Sequence, residues 1–253
     1  MAERNLMDLL HEIFTPLPRQ APAAPEHTRR ALAAFTNLPP APRILDLGCG
    51  QGHSALELAR ATGGTVLAVD VHPPFLDALR RKAEALGLAD RVTALQADMT
   101  SLELPTQSAD LVWSEGAIFL MGLERGLRAW REYLVPGGGL AFTDVVRLVP
   151  ELPAEAAAFW QKEYPALRDV EGNLAAVRQA GYEVLDHFTL PDAAWWDEYY
   201  IPLEARLPAF REKYAGDPQA LEFIETVQAE IDMRRKYGDS YGYEFIMGIK
   251  TDA

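Results

Sequence analysis

The feature that most constrains this chain is a run of alternating glycines between an apolar segment and a helical pattern. Residues 43–54 read RILDLGCGQGHS, with glycine at positions 48, 50 and 52. The apolar residues before the glycines predict a short buried strand, and residues 54–59 begin a helical pattern. Glycine permits a tight turn and close approach of a ligand because it has no Cβ. A strand that passes through such a turn into a helix places a nucleotide-like ligand at the carboxyl end of the strand.

Acidic residues follow the predicted strands at the same edge of the sheet. An apolar segment ends in Asp70, which lies 20 residues after Gly50. A carboxylate at this position accepts hydrogen bonds from both hydroxyls of a ribose. Asp46 and Asp98 stand at the ends of the first and third predicted strands. Because ligands bind at the carboxyl edge of an open parallel sheet, the three acids are predicted to face one ligand.

Two cofactor classes use this arrangement, and the glycine spacing separates them. The dinucleotide fingerprint G-x-G-x-x-G/A requires Gly or Ala at His53. The segment instead reads D-x-G-x-G-x-G from Asp46, and it resembles motif I of the class I S-adenosylmethionine (SAM) dependent methyltransferases. An ordinary tight turn between a strand and a helix of a doubly wound protein is the alternative interpretation.

Later segments carry the same resemblance, which covers roughly Arg43 to Asp144. A strand, a helix, an L-x-P-G-G turn and a further strand follow one another between residues 110 and 146. The resemblance implies an α/β fold with a doubly wound, seven-stranded, mostly parallel sheet of order 3-2-1-4-5-7-6, whose last strand is antiparallel. The segments at residues 113–118 and 241–243 also resemble a largely uncharacterised group of bacterial small-molecule methyltransferases.

The length of the chain and its pattern of predicted helices and strands indicate a single domain, residues 1–253. Two segments are added to the predicted sheet. Residues 1–42 form a helical segment that ends in a proline-rich stretch. Residues from about 191 to 236 form a helical insertion between the last two strands. Its roughly 46 residues are few for an independent core, and both ends are anchored at the sheet. We therefore expect the insertion to act as a lid over the methyl acceptor.

Composition limits the partners of the chain. The net charge is −13, from 37 acidic and 24 basic residues, which argues against a nucleic-acid substrate. The single cysteine, Cys49, forms no internal disulfide and is interpreted as a small packing residue. The N-terminal residues do not read as a signal peptide, and no apolar run approaches the ~20 residues of a membrane span. We expect no membrane partner and a cytoplasmic location, and the oligomeric state stays open.

The resemblance implies a SAM site, from which S-adenosylhomocysteine leaves as product. Asp46 would stabilise the ammonium end directly or through water, Asp70 would hold the ribose, and Asp98 would bind the adenine amino group with Met99 packed on the ring. A helix or turn cap is the alternative role for Asp98. The full predicted set is Asp46, Gly48, Cys49, Gly50, Gly52, Asp70, Val71, Asp98, Met99 and Ser114. Arg19 and Gln20 are candidates for the same pocket or belong to a solvated loop.

The methyl acceptor is predicted to be a small molecule. Glu115 follows the fourth strand and is a candidate general base, a group that orients a substrate amine, or a partner of backbone amides. Aromatic residues gather outside the cofactor half and suggest an acceptor pocket, although plain core packing is the alternative for each of them. The candidates are Trp160, Trp196, Tyr200 and Tyr241. The histidines show no metal-ligand spacing, so no metal is expected.

Three further interpretations compete with a methyltransferase of small molecules. A nicotinamide-dependent oxidoreductase shares the strand, turn and helix, but His53 and the antiparallel last strand weigh against it. A SAM-binding regulatory protein without turnover would keep the same cofactor residues. Methylation of RNA or protein is disfavoured by the acidity of the chain.

Overall fold

The computed structural model describes residues 6–251, and an eight-stranded sheet lies at its centre. The strand order is β3-β2-β1-β4-β5-β8-β7, with the two-residue strand β6 paired to β5 outside this path. The strands are β1 Arg43–Leu47, β2 Thr65–Asp70, β3 Val92–Gln96, β4 Ala109–Ser114, β5 Leu134–Arg147, β6 Arg168–Asp169, β7 Tyr182–Thr189 and β8 Tyr241–Lys250.

Helices cover the sheet, and further helices lie before β1 and between β7 and β8. They are α1 Leu6–Phe14, α2 Pro25–Leu32, α3 His53–Thr62, α4 Pro73–Ala85, α5 Leu123–Tyr133, α6 Ala154–Glu163, α7 Val170–Gln179, α8 Ala193–Trp195, α9 Ile201–Glu204, α10 Leu207–Lys213 and α11 Pro218–Tyr237. A 3₁₀ turn spans Ile118–Leu120, and a π-helical turn spans Trp196–Tyr200. Residues 1–5 of the predicted helical segment 1–42 lie outside the described residues.

The predicted sheet topology is confirmed. β1 pairs in parallel with β2 and β4, while β8 runs antiparallel to both β5 and β7. The short β6 adds one strand to the predicted seven, so the predicted sixth and seventh strands are β7 and β8. Four of the five β1 residues are buried, because helices cover both faces of the sheet at its centre.

One strand differs from its sequence-based prediction. The proline-glycine segment was expected to form a turn before a strand at Leu140, yet β5 begins at Leu134. Ala109 pairs with Leu134 and Leu111 with Gly139, so the segment between them is a register shift inside the β4–β5 pair. A Cβ at Gly139 would lie 2.7 Å from the ring of Phe35, so glycine there lets this ring pack on the strand.

The insertion and the N-terminal helix share a hydrophobic cluster that is separate from the clusters on the sheet. Leu9, Ile13 and Leu17 pack with buried residues of α9–α11 and with Tyr241 of β8. The last helix, α11, has Asp217 as its N-cap, and the Asp217 side chain accepts the Ala220 amide at 3.1 Å. In the part of the chain that the structure describes, we find no helix with the length and apolar character that crossing a membrane requires.

Candidate functional site

The glycine turn joins β1 to α3 and folds back onto the end of β2. Gly48, Gly50 and Gly52 have φ values of +69°, +51° and +78°, in the left-handed region that favours glycine. The amides of Gly48 and Cys49 donate to the Val69 carbonyl at 2.9 and 3.0 Å. A Cβ at Gly48 would lie 2.4 Å from the Cβ of Ala117. The turn therefore needs glycine for its backbone conformation and for its close contacts.

Asp70 ends β2 and links the glycine turn to the start of α4. Its Oδ2 accepts the Gly50 amide at 2.9 Å, and its Oδ1 accepts the His72 amide at 2.9 Å. Burial raises the pKa of Asp70, although both amide bonds favour the charged form. A carboxylate has more lone-pair directions than these two amides use, so Asp70 can also accept hydrogen bonds from a ligand.

Asp46 lies inside β1, directly below the turn, and is fully buried. Its Oδ2 accepts the Ser54 hydroxyl at 2.7 Å, whereas Oδ1 has no hydrogen-bond partner among the described residues. Burial raises the pKa of Asp46 to about 7. A buried polar atom without a partner costs free energy, so Oδ1 marks a place where a bound donor or a water molecule would be stabilised.

The segment between α1 and α2 covers the glycine turn. Gln20 accepts the Gln51 amide at 3.3 Å, and the Gln51 side chain donates to the Thr15 carbonyl at 2.6 Å. Arg19 is buried, and its Nε donates to Glu198 of the insertion at 3.0 Å. A cavity of about 50 Å³ remains between this segment and the turn. Its lining includes Arg19, Gln20, Gly48, Gly50, His53 and Glu115.

Glu115 lies beside this cavity and is held by several donors. Its Oε1 accepts the Thr28 hydroxyl at 2.7 Å and the Trp113 indole N–H at 2.9 Å. Its Oε2 lies 3.8 Å from Nη1 of Arg19, and the side chain is only 7% exposed. These partners hold the carboxylate in one position beside the buried guanidinium of Arg19. The arrangement favours a role for Glu115 in positioning Arg19. A role for Glu115 as a general base stays a prediction.

The other predicted cofactor residues divide into buried and exposed groups. The Ser114 hydroxyl donates to the Leu47 carbonyl at 2.8 Å and ties β4 to β1. Cys49 is buried, and burial raises the pKa of its thiol. Val71 is 46% exposed. The Met99 sulfur lies 3.8 Å from the position of a Cβ at Gly48, beside the turn.

Asp98 has the geometry of a turn cap. It is exposed, and its Oδ1 accepts the Thr100 amide at 2.8 Å, which lowers the pKa of the carboxyl. This is the alternative role that the sequence left open. Its predicted contact with adenine stays a prediction, since an exposed carboxylate at this edge keeps free lone pairs.

The aromatic candidates for the acceptor pocket lie in another part of the molecule. We define the aromatic cluster as Trp160, Trp195, Tyr199, Tyr200 and Tyr241, all of which are buried. The rings of Trp160 and Tyr241 meet edge to face at 4.9 Å, and the Tyr200 hydroxyl donates to Glu230 at 2.7 Å.

Buried packing surrounds three of the four candidates for the acceptor pocket, Trp160, Tyr200 and Tyr241. Trp160, Trp196, Tyr200 and Tyr241 do not line the cavity at the glycine turn or the cavity between the start of α2 and the insertion. Trp160 of α6, Tyr200 of the insertion and Tyr241 of β8 pack in one hydrophobic cluster with α1, and Trp196 packs against it. Contact of any of them with an acceptor stays a prediction.

Sequence reasoning missed several polar residues near the site. Thr28 and Glu198 were not identified, because no local motif marks a residue that meets its partner only in the fold. Asp144 lies in the carboxyl-terminal half of β5. An acidic residue that follows an apolar run was a signal from which this residue could have been identified. Its carboxylate accepts Asn173 at 3.1 Å, and burial raises its pKa to about 7. Tyr243 was also missed; a Cβ at Gly116 would lie 3.6 Å from its ring.

His53 and His72 lie near the turn, and burial favours the neutral form of both rings. Burial lowers the pKa of His53 to about 3 and the pKa of His72 to about 4. The rings of His11 and His72 stack at 3.6 Å. Within residues 6–251 no group of three His, Cys, Asp or Glu side chains is arranged to hold a metal ion.

Comparison with known proteins gives several relatives that are named as methyltransferases. The family described as Methyltransferase domain matches residues 44–138. The chain is 37% identical over 105 residues to methyltransferase GfsG of Streptomyces halstedii, covering 41% of this chain but only 38% of that relative. It is 28% identical over 236 residues to 27-O-demethylrifamycin SV methyltransferase of Amycolatopsis mediterranei, covering 87% of this chain and 82% of the relative.

Two further comparisons bear on the family and on the fold. A SAM-dependent methyltransferase from Geobacter sulfurreducens, crystallised with S-adenosyl-L-homocysteine, superposes with a TM-score of 0.82 and 21% identity over 99% of this chain and 100% of that chain. Demethylmenaquinone methyltransferase of Thermus thermophilus is 37% identical over 159 residues, which cover 60% of this chain and 69% of that relative. With this match and the glycine turn described above, the chain belongs to the class I SAM-dependent methyltransferase family.

Proposed function

We propose that this methyltransferase transfers the methyl group of SAM to a small-molecule acceptor in the cytoplasm. Two relatives named above, the 27-O-demethylrifamycin SV and demethylmenaquinone methyltransferases, are named for small molecules. The net charge of −13 is unfavourable for a nucleic-acid substrate. A cytoplasmic location agrees with the single cysteine, which is buried and free, and cell fractionation tests it.

The cofactor residues are proposed from the fit of their chemistry to SAM. The unpartnered Oδ1 of Asp46 would accept the cofactor ammonium directly or through water, and it is the observation that carries the proposal. Asp70 would hold the ribose hydroxyls with its remaining lone pairs, and Asp98 with Met99 would contact adenine. The backbone of Gly48–Gly52 would lie along the cofactor, with Val71, Cys49 and Ser114 completing the walls.

The protein's own task is positioning. When bound, SAM supplies an activated methyl group on a sulfonium. The chain must then hold the acceptor in line and exclude water, which favours a closed site. Glu115 would fix Arg19 over the cofactor cavity, since its carboxylate already has Thr28 and Trp113 as donors.

The insertion at about residues 191–236 is proposed to be a lid within a single domain. Glu198 of its π-helical turn bonds Arg19 of the segment that covers the glycine turn. The insertion also packs on Leu9 and Ile13 of α1. These contacts couple the insertion to the N-terminal segment 1–42, so the two would open together to admit ligands.

The proposed function is tested with ligands that separate the competing classes. S-adenosylhomocysteine should raise the thermal midpoint of the protein, and NAD should not, because a ligand stabilises only the state that binds it. Labelled SAM with an extract of small molecules should then give a labelled product. Stabilisation by NAD alone would contradict the cofactor assignment, while cofactor binding with no labelled product would favour a SAM-binding protein without turnover.

A further inference from the structure

The guanidinium of Arg19 lines the cavity at the glycine turn with most of its hydrogen-bond donors unused. Arginine carries five N–H donors. Nε donates to Glu198 at 3.0 Å, and Nη1 lies 3.8 Å from the Glu115 carboxylate, which is too far for a hydrogen bond. Within residues 6–251 neither Nη1 nor Nη2 makes a hydrogen bond, although the side chain is only 6% exposed. Donors in this state are costly, so they indicate a ligand that supplies acceptor atoms.

Other positive groups lie beside the same cavity. Lys82 of α4 places its Nζ 3.1 Å from the side-chain oxygen of Gln51 and 3.3 Å from Nε2 of His53, which lines the cavity. Burial lowers the pKa of Lys82, and the charges of Arg19 and Arg81 lower it further. Helix α3 begins at His53, and the N-terminus of a helix favours negative charge. An anion bound beside Arg19 would therefore reduce the repulsion among these groups.

The proposed position of the cofactor ammonium lies at this cavity too. Ser54 lines the cavity, and its hydroxyl donates to Asp46 at 2.7 Å. In the amino-acid end of SAM the ammonium and the carboxylate are attached to one carbon, so an ammonium at Asp46 brings the carboxylate into the same space. Counted over the described residues, Arg19 is the one lysine or arginine in the lining. The volume of about 50 Å³ has room for a group as small as a carboxylate.

We infer that Arg19 binds the carboxylate of the cofactor through Nη1 and Nη2, and that it makes the enzyme specific for SAM over decarboxylated SAM. Two parallel N–H···O bonds match a guanidinium to a carboxylate. Glu198 at Nε and Glu115 beside Nη1 hold the guanidinium in place and leave these donors to the ligand. The inference rests on the proposed function, because it takes this cavity as part of the cofactor site.

The test is a calorimetric titration with two ligands that differ only in the carboxylate. They are S-adenosylhomocysteine and S-adenosyl-3-thiopropylamine, which keeps the amine at the same position. The wild-type protein should bind S-adenosylhomocysteine roughly ten- to a hundredfold more tightly, as expected for hydrogen bonds between charged groups. Arg19→Gln should weaken S-adenosylhomocysteine by a similar factor and leave the affinity for the amine nearly unchanged, so that the preference disappears.

Two further variants make the result specific to Arg19. Arg29→Gln is the matched control, because Arg29 is an exposed arginine of α2 that pairs with Glu57, and it should keep the wild-type preference. Arg19→Lys keeps the positive charge beside Glu115 but lacks the paired donors, and it should lower the preference severalfold. This variant decides the question if thermal midpoints show that Arg19→Gln does not fold.

Equal affinity of the wild type for the two ligands would overturn the inference. A full preference in a folded Arg19→Gln or Arg19→Lys protein would do so as well, because another group would then hold the carboxylate. Equal weakening of both ligands in Arg19→Gln would show that Arg19 only supports the structure of the site. Failure of the wild type to bind either ligand would instead contradict the proposed function, so the two claims fail in different ways.

Discussion

The glycine turn and the aromatic cluster are built from different kinds of interaction. At the turn, backbone amides and carboxylates from the ends of β1 and β2 meet, and one carboxylate oxygen of Asp46 is left without a partner among the described residues. In the aromatic cluster, large rings from the insertion fill a hydrophobic space against α1 and β8. The turn thus presents backbone amides and carboxylates that suit a polar ligand, and the cluster holds mostly apolar buried area that suits stability. The indole N–H groups of Trp160 and Trp195 and the hydroxyl of Tyr241 also lack a partner among the described residues. Mutations in the two regions should therefore affect different measurements.

The largest effect on stability is expected from Trp195→Ala. Trp195 is 1% exposed, and the guanidinium of Arg234 lies 4.4 Å from its ring centre. Truncation should lower the free energy of unfolding by about 3–5 kcal/mol, measured with urea, because it leaves a cavity. Trp196→Ala is the matched control and should cost less, since this ring is only partly buried. A folded Trp195→Ala protein that no longer bound S-adenosylhomocysteine would break the separation of the two regions.

Gly48→Ala should affect both folding and cofactor binding. The left-handed backbone costs about 1–2 kcal/mol for a residue with a Cβ, and the contact with Ala117 adds about 1–3 kcal/mol. Gly87→Ala is a control with almost the same φ, +67°, but nothing within 4 Å of its Cβ. It should show only the backbone cost and unchanged affinity for S-adenosylhomocysteine. Equal losses of stability and affinity in both variants would contradict the close-contact role of Gly48.

Asp46→Asn should change how stability depends on pH. Since burial raises the pKa of Asp46 from 3.8 to about 7, the folded chain keeps a proton that the unfolded chain loses in this range. Its contribution to stability therefore falls as pH rises from about 4 to about 7.

The amide side chain introduced by Asp46→Asn cannot ionise, so the variant should gain stability relative to the wild type by about 2 kcal/mol between pH 5 and pH 7. Urea unfolding at both pH values gives this difference. The lowered pKa values of His53 and His72 make stability rise with pH, but both proteins contain these residues, so their contributions cancel in the comparison. A difference that did not change with pH would mean that Asp46 is ionised throughout.

Glu198→Gln tests the link between the two regions and should have the smallest effect on stability. The pair with Arg19 is half-exposed on the glutamate side, so its loss should cost about 0.2–1 kcal/mol. Hydrogen exchange should nevertheless increase at residues 15–20, because Arg19 loses its contact with the insertion. Glu212→Gln removes an exposed charge from the same insertion and should leave that exchange unchanged. Equal exchange in both variants would argue against a coupled lid.

Sequence reasoning reached the fold because its signals are local. The glycine turn needs glycine at fixed positions, and the apolar strands that end in Asp46 and Asp70 can be read from neighbouring residues. The shift of β5 to Leu134 could not be read in this way, because a register shift between β4 and β5 is a property of the paired strands and not of neighbouring residues.

The candidate site was reached only in part. Arg19 and Glu198 are 179 residues apart, and only the folded chain shows that they form a pair. The aromatic rings stayed candidates for an acceptor pocket or for core packing, because sequence cannot separate a ring that lines a cavity from one that fills a core. In the structure Tyr200 and Tyr241 are buried, with 1% and 0% exposure, and their contact with an acceptor stays a prediction.

The central claim is that the glycine-turn edge of the sheet holds the cofactor through Asp70. Calorimetry with S-adenosylhomocysteine on the wild type, Asp70→Ala and Asp110→Ala tests it most directly; Asp110 is an acid at the opposite end of β4 that pairs with Arg43. Each charged hydrogen bond contributes about 1.5–3 kcal/mol, so Asp70→Ala should weaken binding by about tenfold or more. Asp110→Ala should bind as the wild type does. Wild-type affinity in a folded Asp70→Ala protein would contradict the assignment of the site.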